Sequence, residues 1–269
     1  MNTEQTCYLF LDFDGTVFIK GRIPPENREA LEAVQKLGHQ LILNTGRSRG
    51  GLDFSLAEHQ GVRWDGMIFG ASDMTYRGRR YHDHTVPENL VLEWVRYGMA
   101  HHYWVHLEGE SHNQWYAFDK HQDDFTPEEV ERVLLEVREQ VAKSPVTKLS
   151  LRCVDEGDMP EGGLRLIRQK TYAELFPDGR DKGVAFLEFC ELYRIPKEQC
   201  VCFGDSLNDL AIFQACPNSV AMCGAPELLR RHATYCAVGA CGVAEGIRQL
   251  FGPAVENHLR HGCERSGEK

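Results

Sequence analysis

The chain has 269 residues, 42% hydrophobic and 26% charged, with 30 lysines and arginines against 40 aspartates and glutamates, a formal charge of −10. That is a globular composition with enough chain for one large domain or two modest ones, and it excludes disordered, collagen-like and coiled-coil chains. The acidic balance argues against nucleic acid or an anionic membrane surface as a partner, so an anionic substrate would have to meet its positive charge locally, within a site.

The first apolar run, Tyr8 to Leu11, has strand length and ends at Asp12; a second, Gln40 to Leu43, ends at Asn44 and Thr45. Between them Ala30, Leu31, Val34 and Leu37 fall at helical spacing, Pro24 and Pro25 open the stretch and Gly38 closes it, which predicts a helix from about Glu26 to Leu37. Met67 to Phe69 predicts a further buried strand. Strands and helices alternating through short links are the pattern of a parallel sheet covered by helices.

From His84 to Asp178 the texture changes. Helices are predicted over Glu88–Tyr97 and Glu128–Ala142, the second opened by the capping-box spacing Thr126-Pro127-Glu128-Glu129 and carrying a stripe of Val130, Val133, Leu134 and Val137. Strand-like pieces at Tyr103–Leu107, Gln114–Phe118, Thr147–Cys153 and Leu164–Gln169 surround them without steady alternation. The alternation then returns, with strands at Gln199–Phe203, Ser219–Met222 and Tyr235–Val238 and helices at Leu207–Ala215, Pro226–Arg231 and Val243–Leu250, followed by a polar tail from Glu256. The expected architecture is α/β: a doubly wound, mostly parallel sheet from residues 1–83 and 179–269, interrupted by an inserted α+β domain of residues 84–178.

The run Cys7 to Leu11 is too short to span a membrane, and no basic segment or small-residue cleavage site marks a secretory leader, so a cytoplasmic location is expected. None of the ten cysteines forms a C-x-x-C pair, and Cys7, Cys200 and Cys202 lie in apolar strand-like runs. Reduced thiols packed as small hydrophobes are therefore expected, with Cys263 in the polar tail the most exposed.

Four stretches carry the chemistry. Asp12-Phe13-Asp14-Gly15-Thr16 follows a buried strand, and reactive groups in open α/β sheets gather beyond the carboxyl ends of strands. Two carboxylates two positions apart, beside a glycine that permits a sharp turn, can meet one hard cation and one substrate oxygen. Asn44-Thr45-Gly46-Arg47 also ends a strand and opens a predicted helix, where backbone N–H groups and the helix dipole favour a phosphate. Asp181-Lys182-Gly183 places an ammonium at the re-entry into the alternating region. Gly204-Asp205-Ser206-Leu207-Asn208-Asp209 follows the strand ending at Phe203. Asp12, Asp14 and Asp205 would suit magnesium, which takes oxygen ligands in octahedral geometry and keeps several waters. Taken singly, each stretch has an ordinary reading as a capped loop, an N-cap or a solvated surface lysine.

In this order and placement the four resemble the motifs of the haloacid dehalogenase (HAD) superfamily, most closely its Cof-type branch (class IIB), whose members carry a C2-type cap between the second and third motifs of a Rossmann-like core. The segment Val220-Ala221-Met222-Cys223-Gly224-Ala225-Pro226-Glu227-Leu228, with Ala233-Thr234-Tyr235 and Gly242-Val243-Ala244 after it, is similar to that branch's closing segment. The resemblance implies a phosphatase in which Asp12 is the nucleophile that becomes an aspartyl-phosphate. Asp14 protonates the leaving oxygen and then deprotonates water. Thr45 and Gly46 hold the phosphate and Lys182 neutralises it. Asp205 binds Mg²⁺ with the Asp12 carboxylate and the Asp14 main-chain carbonyl, Asn208 sits near the phosphate, and Asp209 supports. Arg47 has two readings, a contact to the phosphate or leaving group and a pair with a neighbouring carboxylate. Two departures stand out: Met222-Cys223-Gly224-Ala225 lacks the branch's usual asparagine, and Asp181 precedes the lysine where serine is common.

In the inserted region His82, His84, His101, His102, His106, His112 and His121 repeat no ligand spacing, so no zinc site is expected and they read as surface residues. Trp104, Trp115, Tyr116 and Phe118 read as core of the insert rather than a stacking platform, and the loop from Glu108 to Asn113 is the expected chooser of substrate. The whole predicts a Mg²⁺-dependent phosphatase of a small phosphorylated metabolite such as a sugar phosphate. The rivals are a sugar phosphomutase and a non-catalytic sensor of a phosphorylated ligand.

Overall fold

The computed structural model describes residues 4–52, 61–82, 84–110, 113–118, 124–152, 162–168, 172–252 and 255. In chain order, β1 (Tyr8–Leu11) leads through α1 (Pro25–Lys36) to β2 (Gln40–Thr45), β3 (Gly66–Phe69), β4 (Asp73–Tyr76) and β5 (Arg79–His82). Next come α2 (Glu88–Ala100), β6 (Trp104–Gly109), β7 (Asn113–Ala117), α3 (Pro127–Lys143), β8 (Val146–Arg152), β9 (Leu164–Arg168) and β10 (Tyr172–Pro177). The chain continues with α4 (Lys182–Tyr193), β11 (Cys200–Gly204), α5 (Leu210–Ala215), β12 (Ser219–Ala221), α6 (Glu227–His232), β13 (Tyr235–Cys236) and α7 (Gly242–Phe251).

The larger sheet has the order β13-β12-β11-β1-β2-β3-β4-β5, parallel from β13 to β3 and antiparallel at β4 and β5. After β1 the chain winds outward through β2 and β3, and on returning it enters on the other side of β1 at β11. The reversal lies at β1, and a crevice opens beyond the carboxyl ends of strands at such a point. Successive side chains of β1 face opposite ways, as a strand requires. Leu9 and Leu11 pack with Leu31 and Val34 of α1 and Val243 and Ile247 of α7, whereas Phe10 packs with α4 and α5 on the other face.

The Phe10 contact fixes where α4 lies. Its ring meets Phe186 and Phe189 edge-on at 4.9 and 5.5 Å, and all three are fully buried. Each such ring contributes about 1.5–3 kcal/mol through burial. Asp181 caps the helix by accepting from the Val184 N–H at 2.8 Å, a role serine fills equally well. The cap also holds Arg165 of β9 at 2.5 Å.

The smaller sheet is antiparallel, in the order β7-β6-β8-β10-β9. One face is apolar: Val105, Leu107, Leu149, Leu151 and Leu175 pack under Val91, Val95, Leu134 and Val137 of α2 and α3. The expected capping box at Thr126 and Glu129 is formed, and Val130 and Val133 pack at the edge of this core.

Some elements differ from expectation. The hairpin of β4 and β5 turns on Arg77 and Gly78, both at positive φ (48° and 75°), the combination a tight two-residue hairpin needs. Neither β4 inside the sheet nor β5 at its edge holds an apolar run that would mark it as a strand. Strand β10, interrupted by Glu174 and ended by Pro177, lacks a long one as well. The helix expected from Leu207 begins as a 3-10 turn over Leu207–Asp209 before α5. The stretch after Thr45, expected to open a helix, is turn through residue 52. The eight described cysteines are free thiols, while Cys153 and Cys263 lie outside the described residues. No helix among the described residues is long and apolar enough to cross a membrane.

Gly183 lies where α4 touches α5. A Cβ there would stand 2.5 Å from the Ala211 carbonyl oxygen, a backbone atom that cannot rotate aside. Gly183→Ala is expected to destabilise the fold by about 1–3 kcal/mol, read from urea unfolding, and to lower activity by displacing Lys182.

Candidate active site

The first and last of the four stretches meet at the crevice. Asp12 ends β1 with its N–H donating to the Phe203 carbonyl at 3.0 Å, and its side chain is 8% exposed. Lys182, buried at the start of α4, donates to Asp12 Oδ1 and to Asp209 Oδ1, both at 2.6 Å. Asp209 Oδ2 in turn accepts the N–H groups of Asp205 and Ser206 at 3.0 and 3.1 Å. It therefore ties the lysine to the loop that carries Asp205.

Gly15 shows why that motif needs glycine. Its φ is +82°, and a Cβ there would fall 2.3 Å from Asp205 Oδ2. Thr16 of the same motif donates its hydroxyl to Asp205 Oδ1 at 2.9 Å. The turn after β1 is thus pressed directly against Asp205. Gly204 is constrained likewise, since a Cβ there would meet Asp209 Cγ at 2.5 Å.

Asp12, Asp205 and Asp209 offer carboxylate oxygens within 4.8 Å of one another. Burial pushes the Asp12 carboxyl well up, against the pull of Lys182, and Asp209 and Asp205 add to the push. Asp205 is raised too, by burial and then by Asp209. Lys182 is held protonated, its two carboxylate partners outweighing the cost of burial. Three carboxylates therefore crowd one ammonium, and a divalent cation would relieve them.

Asp14 stands outside this cluster. Its half-exposed carboxylate takes a bidentate pair from Arg47, Nε to Oδ2 and Nη2 to Oδ1, both at 2.6 Å. Of the two readings of Arg47, the structure has the carboxylate pair. Thr45 is buried with its hydroxyl accepting from the Arg47 N–H at 3.2 Å. Thr45, Gly46, Asn208, Asp12, Asp14 and Asp205 all line one cavity of about 470 Å³. Asn208 accepts from the Ser206 hydroxyl at 2.8 Å.

The other wall of the cavity comes from the polar face of the small sheet, which the motifs did not reveal. Cross-strand register lines up Trp115, His106, Ser150 and Glu174 in one row, and Asn113, Glu108 and Lys148 in the next. Lys148 is fully engaged: it donates to Glu174 Oε1 at 2.6 Å and, across the gap, to the Gly46 carbonyl at 2.8 Å. A second crossing joins the Gly50 N–H to the Gly109 carbonyl at 2.9 Å. Burial alone would raise the Glu108 carboxyl, but Lys148, His106 and Ser150 bring it down to about 2.

Two expectations are corrected here. His106 is not a surface residue: it is 7% exposed, bonded to Asn113 Oδ1 at 2.6 Å and stacked on Trp115 at 4.0 Å. Trp115 lines the cavity instead of the core, and Trp104 is 38% exposed, while Tyr116 and Phe118 do belong to the core. Of the loop from Glu108 to Asn113, its two end residues line the cavity; residues 111 and 112 lie outside the described residues, as does His121. The available signal was the parity of Lys148, Ser150 and Arg152, with Leu149 and Leu151 between them.

The family model for haloacid dehalogenase-like hydrolases matches residues 9–159 and 164–247. The phosphatase YwpJ of Bacillus subtilis (strain 168) is 26% identical, over 81% of this chain and 89% of its own length. Among solved structures, BT1666 from Bacteroides thetaiotaomicron, described among phosphatases of this superfamily, superposes with a TM-score of 0.74 at 20% identity, covering 92% of this chain and 96% of its own. The HAD subclass IIB sugar phosphatase BT4131 gives 0.72 at 20% identity, over 92% and 99%. The chain belongs to the haloacid dehalogenase-like hydrolases.

Asp209→Ala would leave Lys182 with one buried partner and two N–H groups with none, and is expected to cost about 3–5 kcal/mol in urea unfolding. Glu108, with its carboxyl lowered from 4.5 to about 2, contributes stability that is full above pH 4.5 and fades as the pH falls toward 2. The gap in unfolding midpoint between the wild type and Glu108→Gln should therefore be wide at pH 7 and narrow at pH 3.

Proposed function

We propose that this phosphatase hydrolyses the phosphate monoester of a small metabolite, a sugar phosphate or a close relative, through an aspartyl-phosphate on Asp12 and with Mg²⁺ bound. The division into a core of residues 1–83 and 179–269 and a cap of residues 84–178 belongs to the same proposal, as does the placing of the reaction between them. The observation that carries it is Lys182 holding Asp12 and Asp209 at 2.6 Å each, with Asp205 alongside, where the sheet reverses direction.

In the first displacement an oxygen of Asp12 forms a bond to phosphorus and the bond from phosphorus to the ester oxygen breaks. Asp14 gives its proton to the departing alkoxide. To do so it must enter protonated and come off the Arg47 guanidinium, which holds it in place beforehand. In the second displacement Asp14 takes a proton from water, whose oxygen attacks phosphorus; the bond to Asp12 breaks and inorganic phosphate leaves. Splitting the reaction in this way replaces one very slow step by two easier ones. Lys182 keeps its charge beside the phosphoryl oxygens, where developing negative charge needs it most. Thr45, the N–H groups around Gly46, and Asn208 would hold the remaining phosphoryl oxygens. Asp12, Asp205 and the Asp14 carbonyl would hold Mg²⁺, with Asp209 as support. When bound, the ion would supply further positive charge against the phosphoryl group.

The wall of Glu108, Lys148, Ser150, Tyr172 and Glu174 would enclose the alcohol portion, and the sugar-phosphatase description of BT4131 supports reading that portion as a sugar.

Phosphate release is expected to need Mg²⁺ and to vanish in Asp12→Asn, with Asp14→Asn lowering kcat by about 10²–10⁴-fold. Asp205→Asn should weaken Mg²⁺ binding by at least about tenfold, measured by titration calorimetry. Phosphate release that persists in Asp12→Asn would overturn the assignment, and transfer of the phosphoryl group to a second sugar position would point to a mutase.

A further inference from the structure

Among the described residues, the wall formed by the small sheet has no cation free at its inner part. Lys148 has three protons, and its ammonium faces three acceptors: the Gly46 carbonyl at 2.8 Å, Glu174 Oε1 at 2.6 Å and Glu108 Oε1 at 3.5 Å. Arg47 is taken up by Asp14 through both of its short bonds. The remaining guanidinium among the described residues that line the cavity, Arg152, sits exposed over the Trp115 ring at 4.6 Å. Carboxylates line the same space from both sides: Asp12, Asp14 and Asp205 below, Glu108 and Glu174 above.

Glu108 is the residue placed to sense what enters. The Ser150 hydroxyl at 2.6 Å, His106 Nδ1 at 3.3 Å and Lys148 at 3.5 Å all contact its Oε1. Its Oε2 lies 3.6 Å from where a Cβ on Gly51 would stand, so the glycine leaves room beside that oxygen. A hydroxyl arriving there would donate a charge-assisted hydrogen bond. A second anion would instead meet the like charge of that carboxylate.

Building on the phosphatase reading, we propose that this wall selects phosphate monoesters whose alcohol portion is neutral and hydroxyl-rich and rejects those with a second anion near the ester, Glu108 being the residue that discriminates. This goes beyond naming a sugar phosphate, because it separates substrates of equal size by charge.

The test compares glycerol 3-phosphate with 3-phosphoglycerate, which differ only in a terminal hydroxymethyl against a carboxylate, using the full chain with Mg²⁺ and p-nitrophenyl phosphate as reference. Wild-type kcat/KM should favour glycerol 3-phosphate by at least about tenfold, the scale of a like-charge contact. Glu108→Gln should move that ratio toward parity by raising turnover of 3-phosphoglycerate relative to its partner. A purely structural role would lower both esters together and leave the ratio alone. Glu174→Gln, expected to narrow the ratio in the same direction, serves if Glu108→Gln does not fold. A wild-type ratio near one with the reference hydrolysed overturns the selection while leaving the phosphatase reading intact. An unchanged ratio in a folded Glu108→Gln overturns the role of Glu108. If none of the three esters releases phosphate, the phosphatase reading fails and the selection falls with it.

Discussion

One buried ammonium organises this protein. Lys182 comes from α4, Asp12 from β1, and Asp209 from the turn after β11, and these parts of the chain are held together by bonds of 2.6 Å from a single Nζ. Taking an ammonium and two carboxylates out of water is costly, and it is tolerated only when the charges satisfy one another closely. The surrounding packing meets that demand: Phe10 against Phe186 and Phe189 places α4, while the absence of side chains at Gly15, Gly183 and Gly204 lets backbone and carboxylates approach. The arrangement leaves more negative charge than one lysine can balance, which is the electrostatic condition for recruiting a cation and for stabilising a phosphoryl group only once it is present.

A second buried lysine does a related task from the opposite side. Lys148 belongs to the small sheet but donates to the Gly46 carbonyl of the large one, so the loop after β2 is tied to the wall above it. With Arg165 on Asp181 and the Gly50 to Gly109 backbone bond, several contacts between the two sheets are polar and directional, beside the apolar packing of Phe176 of β10 in the core with Phe10 and Phe186. Polar contacts of this kind hold a defined geometry yet exchange readily with water, unlike the apolar packing within each unit. Substrate entry is compatible with such a join.

The four motifs were legible because each is local: a run of apolar residues, then acidic or hydroxyl residues and glycine within a few positions. Gly15 announced a turn, although its second constraint, the proximity of Asp205 Oδ2, depends on a residue 190 positions away. Arg47 kept two readings until its guanidinium was seen on Asp14. Asp181 read as a departure from the usual serine and proved to be a helix cap. His106 and Trp115 were taken for surface and core because a histidine and a tryptophan in isolated strands carry no indication of their neighbours.

The amino-acid sequence by itself determined the alternation of strands and helices, the point where the insert begins to differ, and the residue types at the carboxyl ends of the strands. These follow from periodicity and local chain chemistry. Only the tertiary structure decided which polar residues of the smaller sheet face the cavity. Lys148, Ser150 and Arg152 share a side of β8 by simple parity, and that parity would be the same if the side faced water. Strand register places Glu108 and Glu174 beside Lys148, and the large sheet, rather than solvent, lies opposite. Parity tells which side chains travel together; what they look toward is set by contacts between segments far apart in the chain.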